Sequence, residues 1–348
     1  MSAYPILLTV TPGTLTLDQQ IPNTRYGTGG ATPADLPYHV QLVDLYEPNG
    51  IISFVAVALH GGGGNKYQYS ATLGLLLGWP PTADKVFWGS LEYWHLAMMI
   101  PQGNHCEGVN PLWGAGNNPY NPHDVNTVSA DYPYGIPTWS NHLMYSGVDD
   151  VQFIKDCATF ASTRWGAATP RILAGHSNGG FMANTSWYEH IVNSYQCYCS
   201  TSGSAPPYYI ANPATPAIVK PYFATYGHLD INLEITGTNF YEPVWYLSQA
   251  SKAFVDTPPT AIGALQQLQV RVNAYNTYHS LPAETVSIGA GVTVAVAIGT
   301  RTTWTYSGGD NIICLYSDAD HSNVSLAKCQ RSTNYALWIL FLLKSLGF

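Results

Sequence analysis

The chain has 348 residues, of which 46% are apolar, so it is long enough to bury a sizeable core. Only 10% of the residues are charged and the formal net charge is −8, which gives no electrostatic reason to bind nucleic acid. We expect no membrane span, because the longest apolar run near the end, residues 335–343, is far shorter than the roughly 20 residues required.

The low charge is accompanied by 25 Tyr, 10 Trp and 32 Gly, which indicates a largely neutral, polar surface. This composition favours an extracellular or secreted protein, although Met1–Val10 lacks the basic segment of a signal peptide. The six cysteines form no C-x-x-C pair, so a zinc or thioredoxin-like site is not indicated, and we expect no metal or cofactor. Disulfides and buried thiols both remain open, and Cys197 and Cys199 are expected to share one face of a strand.

The first half of the chain is predicted to begin with a β-rich extension over residues 1–50. Ile51–Leu59 is a continuous apolar run, typical of a strand buried on both faces. Residues 102–141 form a long loop rich in aromatic side chains, and loops of that length are uncommon unless functional. Ser146–Trp165 has helical spacing, with Ser146 as the N-cap. Its inner face is predicted to consist of Val151, Phe153, Ile154, Cys157 and Phe160. Further strands are predicted at residues 7–10, 14–17, 38–46 and 96–100.

Strands and helices alternate in the second half, which predicts a mostly parallel sheet covered by helices on both faces. No repeat or linker divides the chain, so we expect a single α/β domain over residues 1–348. Strands are predicted at residues 171–174, 198–201, 222–225 and 312–316, with a hairpin at 286–298 and 302–306. Helices are predicted at residues 181–192, 261–278 and 332–346.

Gly175–Gly179 matches the pattern G-x-S-x-G, with Ser177 as the candidate nucleophile. It follows a short strand and precedes a helix, which is the context in which such a serine stands on a strained turn above the sheet. The two glycines are needed because side chains there would collide with neighbouring backbone. The alternative is a serine in an ordinary glycine-rich turn.

A second glycine-rich segment, His60–Gly64, follows the buried strand at Ile51–Leu59. Hydrolases with G-x-S-x-G take one oxyanion donor from such a loop and one from the residue after the serine. We therefore predict an oxyanion hole made by the backbone N–H groups of Asn178 and Gly62, with Gly63 as the next choice. A phosphate-binding loop is disfavoured, because no G-K-[ST] sequence or G-x-G-x-x-G helix start follows.

The acid and base of a triad follow the serine in the order acid, then histidine. No acidic residue lies between Glu189 and Asp230, so Asp230, which follows a strand, is the candidate acid, and Glu234 is the reserve. His321 follows the last strand and is the candidate general base. His190 and His279 are expected on helix surfaces, and His228 is expected to line the site. Asp318 and Asp320 fit no full calcium loop and are interpreted as solvated.

Five segments together resemble the polyhydroxybutyrate depolymerase and feruloyl esterase group of α/β-hydrolases. They are Ala58–Gly64, Pro101–Gly103, Asp149–Ile154, Ala174–Ala183 and Gly227–Asp230. The resemblance implies an α/β-hydrolase fold, with N-terminal antiparallel strands here, and a secreted serine esterase acting on polyesters or plant aryl esters. The chain departs from the group where His321 is followed by Ser-Asn rather than Trp-Pro, and in its first 50 residues.

The aromatic loop is predicted to shape the substrate pocket by stacking on an aryl acid or a polymer surface. The alternative is that its rings pack the loop on itself. Candidate substrate-binding residues are Trp113, Trp139, His176, Gly63 and His228, with Tyr120, Tyr132 and Tyr134 as further stacking rings. The predicted partner is an ester or polyester. An amidase, peptidase or lipase on the same fold, or a non-catalytic binding or particle-surface protein on a hydrolase scaffold, remains open.

Overall fold

A computed structural model describes residues 13–21, 41–62, 64–72, 91–105, 137–139, 150–188, 194–203, 220–227, 292–296, 299–306 and 311–320. The strands are β1 (Thr14–Gln20), β2 (Leu42–Glu47), β3 (Phe54–Leu59), β4 (Leu96–Pro101), β5 (Asn104–His105), β6 (Pro137–Thr138), β7 (Arg171–His176), β8 (Cys197–Thr201), β9 (Tyr222–Gly227), β10 (Val292–Val296), β11 (Gly299–Tyr306) and β12 (Asn311–Tyr316). The described helices are α1 (Lys66–Thr72), α2 (Asp150–Trp165) and α3 (Asn178–Tyr188).

Ten of these strands form one mixed sheet in the order β1-β2-β4-β3-β7-β8-β9-β12-β11-β10. The strands from β4 to β12 in this order are parallel, whereas β1 and β2 at one edge and β11 and β10 at the other pair antiparallel. An antiparallel second strand, exchanged third and fourth strands and then parallel strands in chain order are the topology of the α/β-hydrolase fold. The predicted fold class is confirmed.

The hydrophobic core lies on both faces of this sheet. Two hydrophobic clusters lie on opposite faces of the sheet, and side chains alternate between them along each strand. On β3, Val55, Val57 and Leu59 belong to one cluster, and Phe54, Ala56 and Ala58 belong to the other. The first cluster also contains side chains of α2 and α3, and the second contains Tyr69 of α1. The apolar run therefore forms a strand that is buried on both faces, as its sequence predicted.

The predicted inner face of α2 is confirmed. Phe153, Ile154 and Cys157 are buried, and Val151 and Phe160 are partly buried against the same core. The helix stops at Gly166, whose φ of +106° is favourable for glycine and whose N–H donates to the Ser162 carbonyl. The N-cap predicted at Ser146 lies outside the described residues.

The strand predicted at Ile51–Leu59 begins later than expected. Ile51 is 88% exposed and β3 begins at Phe54, because the chain turns at Gly50, where φ is +91°. Hydropathy alone cannot detect this turn, since the residues after it are still apolar. The helix predicted from residue 181 begins three residues earlier, at Asn178.

The predicted hairpin is present as β10 and β11, which pair antiparallel. Its second strand begins at Gly299, three residues before the predicted start, and residues 286–291 lie outside the described part of the chain. The strand at residues 7–10, the helices at 261–278 and 332–346 and most of the 102–141 loop lie outside the described residues. No helix in the described part of the chain has the length and hydropathy needed to cross a bilayer.

Cys157, Cys197, Cys199 and Cys314 are buried thiols that form no disulfide. Cys197 and Cys199 lie on the same face of β8, as predicted. Burial raises the pKa of Cys314 to about 11 and also raises the pKa of Cys197. These two thiols are therefore protonated at neutral pH and are poor nucleophiles.

Charged side chains fasten the N-terminal edge of the sheet to α1. The Asp44 carboxylate is completely buried and accepts hydrogen bonds from Lys66 Nζ at 2.7 Å and Ser70 Oγ at 3.0 Å. Asp18, at a bulge in β1 with φ of +56°, pairs with Lys66 Nζ at 2.6 Å and donates its N–H to Asp44. Lys66 thus joins α1 to both β1 and β2.

Candidate active site

Ser177 stands between the end of β7 and the start of α3. Its φ of +53° is in the left-handed region, which a residue with a side chain rarely adopts and which marks a strained turn. The Ser177 carbonyl accepts the first hydrogen bond of the α3 ladder, from Phe181 N–H at 2.9 Å. The positive end of the helix dipole is therefore directed at this serine.

Two glycines make the turn possible, because backbone lies where their side chains would be. A Cβ on Gly175 would collide with the Gly179 carbonyl, and a Cβ on Gly179 would lie 2.5 Å from Leu59 O and 2.6 Å from His60 O. The predicted steric reason for both glycines is confirmed. The close approach also brings the end of β3 directly against the Ser177 turn.

Thr201, at the end of β8, holds the Ser177 turn from the opposite side. Its carbonyl accepts the Ser177 N–H at 2.9 Å, and its hydroxyl donates to the Gly175 carbonyl at 3.2 Å. His176 Nδ1 lies 3.0 Å from the same hydroxyl. Because the single hydroxyl proton is used toward Gly175, we assign the proton of this contact to His176 Nδ1, which fixes the orientation of the half-buried ring.

The glycine loop after β3 packs against Ser177 and Asn178. A Cβ on Gly61 would lie 3.3 Å from Ser177 Cβ, and one on Gly62 would lie 3.5 Å from Asn178 Cβ. The Gly64 N–H donates to the Gly61 carbonyl at 3.1 Å. The structure therefore brings together the two segments predicted to supply oxyanion donors.

The segment after β4 holds this loop in place. Gly103 N–H donates to His60 Nε2 at 2.9 Å, so the proton of the His60 ring is assigned to Nδ1, which donates to Gly61 O at 2.7 Å. Gln102 Oε1 accepts the N–H of Lys66 at 3.1 Å. The loop is thus fixed on one side through His60 and on the other through the first residue of α1.

Trp139 is completely buried beside Asn178 and His60. Its backbone N–H donates to Asn178 Oδ1 at 2.8 Å, and its indole N–H donates to the His60 carbonyl at 3.0 Å. Its ring packs on His60 at 5.1 Å and on Phe153 at 6.4 Å between centroids. The ring has no exposed surface for a substrate to stack on, which differs from the predicted role in substrate binding.

The end of β9 lies close to the residues that follow β12. A Cβ on Gly227 would collide with the Ala319 carbonyl and lie 2.9 Å from Asp320 O. These residues immediately precede His228 and His321 along the chain. Asp318 and Asp320 are exposed, as expected for solvated carboxylates.

Several predicted site residues lie outside the described part of the chain. They are Gly63, Trp113, His228, Asp230, Glu234 and His321, together with His190 and His279. Among the residues that the structure does describe, no group of three or more His, Cys, Asp or Glu side chains is arranged to hold a metal ion.

Sequence reasoning did not identify the positions of Thr201, Gly103 and Trp139 in the hydrogen bonds around Ser177. Thr201 and Trp139 contact the turn through partners more than 20 residues away, which no local pattern reveals. The available signal was indirect: Thr201 ends a predicted strand, and Pro101–Gly103 is one of the segments of the family resemblance.

No protein-family model and no curated protein sequence matches this chain. Solved structures resemble it at low identity. A poly(3-hydroxybutyrate) depolymerase from Bordetella parapertussis is 12% identical over 86% of this chain and 85% of its own, with a TM-score of 0.45. An esterase from Pyrobaculum calidifontis is 9% identical over 95% and 85%, with a TM-score of 0.43. Zea mays acyl-protein thioesterase 2 is 14% identical over 88% and 99%, with a TM-score of 0.41. The fold assignment rests on the strand order, and these similarities say nothing of the substrate.

Proposed function

We propose that this protein is a serine carboxylic-ester hydrolase that works through an acyl-enzyme formed on Ser177. The observation that carries the proposal is the placement of Ser177 on a positive-φ turn between β7 and α3, with the loop after β3 close by: a Cβ on Gly61 would lie 3.3 Å from Ser177 Cβ. A serine in this position presents its hydroxyl at the carboxyl end of the sheet. Attack of its Oγ on an ester carbonyl forms a tetrahedral intermediate, which collapses to the acyl-enzyme and expels the protonated alcohol. Water then attacks the acyl-enzyme and releases the acid and free Ser177.

The negative oxygen of that intermediate is held by backbone donors in the proposed mechanism. Asn178 begins α3, and Gly62 lies beside it in the loop after β3, so the two N–H groups come from neighbouring segments. The α3 dipole favours negative charge at the same point. Removing one oxyanion donor typically costs about 10²–10³ in turnover, so the placement of these two residues matters for rate.

His321 is proposed as the general base, with Asp230 orienting its imidazole. The support is the close approach of Gly227 to Ala319 and Asp320, because the chain continues from these points to His228 and to His321. In the sheet order, β9 lies two strands from β7, roughly 10 Å, and β12 lies one strand further. Loops that leave these strand ends are therefore at the correct edge to reach Ser177.

The proposed substrates are short-chain esters, feruloyl-type esters or polyesters, which is what the motif resemblance implies. Gly63, His176, His228 and Trp113 are proposed to contact the substrate. His176 is the described member of this set: it is half-buried beside Gly61, and Thr201 orients its ring. The low-charge surface supports the further proposal that the protein acts outside the cell.

The decisive experiment compares wild type, Ser177→Ala and the control Ser162→Ala, which changes a serine on α2. The substrates are p-nitrophenyl acetate, butyrate and octanoate, methyl ferulate and a polyhydroxybutyrate film, and a fluorophosphonate probe reports the nucleophile by mass spectrometry. We expect hydrolysis and labelling at Ser177 in wild type and Ser162→Ala, and neither in Ser177→Ala. A wild type that hydrolyses none of the esters and takes no probe would contradict the proposal and favour a non-catalytic scaffold. Turnover of amides or only of long-chain esters would point to an amidase or a lipase.

The triad assignments have matched controls within the chain. Asp230→Asn is expected to lower kcat by about 10⁴, while Glu234→Gln leaves it within about threefold. His321→Ala should be inactive and His279→Ala active. The wild-type kcat should rise with pH as the general base loses its proton, because a histidine must be neutral to act as base. Equal losses in Asp230→Asn and Glu234→Gln would refute the acid assignment.

A further inference from the structure

Trp139 makes two hydrogen bonds that reach different segments of the site. The backbone N–H binds Asn178 Oδ1 at 2.8 Å, and the indole N–H binds His60 O at 3.0 Å. Asn178 belongs to the Ser177 turn, and His60 immediately precedes the Gly61–Gly62 loop. One buried residue therefore spans the two segments that carry the oxyanion donors.

The position of Trp139 itself is well determined by its surroundings. Its ring is packed between His60 and Phe153, with centroid distances of 5.1 Å and 6.4 Å. The residues just before it form β6, which pairs with β5, and β5 follows Gly103, whose N–H binds the His60 ring. Trp139 is thus held by both the core and the segment after β4, so it can hold other groups in turn.

We propose that Trp139 is a positioning residue that sets the distance between the Asn178 and Gly62 donors of the oxyanion hole. The proposal rests on the esterase function proposed above. A Cβ on Gly61 would lie 3.3 Å from Ser177 Cβ and one on Gly62 would lie 3.5 Å from Asn178 Cβ, so the glycine loop lies close to both residues. The two Trp139 hydrogen bonds add a directional link, because a hydrogen bond restricts both distance and angle. Oxyanion donors must lie about 2.7–3.1 Å from the developing negative oxygen, so a small shift of either segment lowers the rate.

The two Trp139 hydrogen bonds, to Asn178 and to His60, together form a bridge between the two segments. Trp139→Phe tests this bridge, because it keeps an aromatic ring and removes the indole donor to His60. Trp187→Phe is the matched control: Trp187 is also buried, and its indole N–H donates to the Lys220 carbonyl at the same distance, 3.0 Å. Both variants lose one indole-to-carbonyl hydrogen bond, but only the first lies in the bridge.

The readouts are kcat and KM for p-nitrophenyl butyrate and the inhibition constant of an alkyl trifluoromethyl ketone. Addition of Ser177 Oγ to this ketone transfers the serine proton to the base and leaves a negative oxygen in the oxyanion hole. For Trp139→Phe we expect kcat to fall roughly 10- to 100-fold, KM to stay within about twofold and the ketone to bind correspondingly more weakly. Trp187→Phe should match wild type in all three. A raised KM with unchanged kcat would instead indicate that Trp139 binds substrate, and would overturn the proposal.

If Trp139→Phe does not fold, a second variant still tests the role of Trp139. Asn178→Ala breaks the other end of the bridge while retaining its backbone N–H, and should lower kcat without raising KM. If both variants fold, the double variant should be no slower than the slower single variant, since either change already removes the link between the two segments through Trp139. Fully multiplicative losses would argue against a bridge.

The outcomes separate this proposal from the one on which it rests. A wild type that neither hydrolyses esters nor reacts with the fluorophosphonate overturns both. An active wild type in which Trp139→Phe and Trp187→Phe lose kcat equally overturns the role of Trp139 and leaves the esterase intact.

Discussion

The surroundings of Ser177 and the N-terminal edge of the sheet are held together in different ways. Around Ser177, defined here as the nucleophile region of residues 59–62, 175–180 and 201, close backbone contacts at glycines and hydrogen bonds between neutral groups hold the turn. At the N-terminal edge, formed by β1, β2 and α1, a buried carboxylate is paired with a buried ammonium. The nucleophile region therefore depends on shape, and the edge depends on charge.

This difference suits what each region has to do. In the proposed mechanism, a fixed charge beside Ser177 would change the energy of the developing oxyanion, because Coulomb interactions are strong where water is excluded. Neutral contacts hold the turn without that effect. The edge has no such constraint, so Asp44 and Lys66 can fasten α1 to the sheet, and their removal should affect stability more than chemistry.

Gly179→Ala should have the largest effect of the variants that test this contrast. The added Cβ would meet two backbone carbonyls at 2.5 and 2.6 Å, and backbone cannot move aside as a side chain can. We expect a loss of about 4–5 kcal/mol or failure to fold, measured by urea unfolding. Gly62→Ala is the control for folding, since its Cβ would meet Asn178 at an ordinary 3.5 Å and should cost about 1 kcal/mol or less. Equal stability of the two variants would break the steric account.

Lys66→Met should follow, with a loss of about 3–5 kcal/mol, because it leaves the buried Asp44 carboxylate without its ammonium partner. Asp18→Asn is the control, since Asp18 is 66% exposed and asparagine tolerates its positive φ, so the loss should be about 1 kcal/mol or less. Comparable losses from both would show that the buried pair has no special role.

The Lys66 pair also predicts a pH dependence. Burial lowers the pKa of Lys66, but hydrogen bonds and charge from Asp18 and Asp44 outweigh it and leave the pKa above its ordinary 10.5. A raised folded-state pKa means that the pair contributes stability below about pH 10.5, and that the contribution is lost as pH rises through the folded pKa. The stability difference between wild type and Lys66→Met should therefore shrink above that pH in urea titrations.

Thr201→Val should be intermediate, at about 1–3 kcal/mol, because valine keeps the shape but leaves the Gly175 carbonyl and His176 Nδ1–H without their hydroxyl partner. Since the same bonds orient the turn, kcat should also fall, whereas Lys66→Met should leave kcat of the folded fraction close to wild type. Two measurements distinguish the two variants: urea unfolding curves, which give stability, and kcat calculated per folded molecule. A Thr201→Val enzyme with unchanged kcat would remove Thr201 from the positioning of Ser177.

Glu47→Gln should have the smallest effect. Glu47 makes a bidentate pair with Arg164 and accepts from Trp165 Nε1, but both charged side chains are partly exposed, so solvent reduces the gain to about 1 kcal/mol or less. The Arg164 hydrogen bond holds the pKa of Glu47 below its ordinary 4.5. The contribution is therefore present above about pH 4.5 and is lost as pH falls through the lowered folded-state pKa, so the stabilities of wild type and Glu47→Gln should converge in acid. A constant difference across this range would contradict the ion-pair explanation.

Much of the nucleophile region could be predicted from the sequence because its signals are local. The G-x-S-x-G turn, the apolar run of β3 and the glycines after it each report a backbone requirement within a few residues. The ends of strands were harder to predict from the sequence. Ile51 is apolar but exposed, because the chain turns at Gly50 and β3 begins only at Phe54. Asp230 and His321 remain predictions from chain order and strand ends.

The sequence by itself determined the class of fold, the position of Ser177 and the two glycine segments beside it. Hydrophobic periodicity and the steric need for glycine both depend on residues that are close together in the sequence. The tertiary structure alone decided that Trp139 is a buried bridge rather than a stacking surface. Its partners Asn178 and His60 lie 39 and 79 residues away along the chain. Such contacts exist only after β3 and β7 have paired in the sheet and the segment after β4 has folded against them, and no local pattern specifies them.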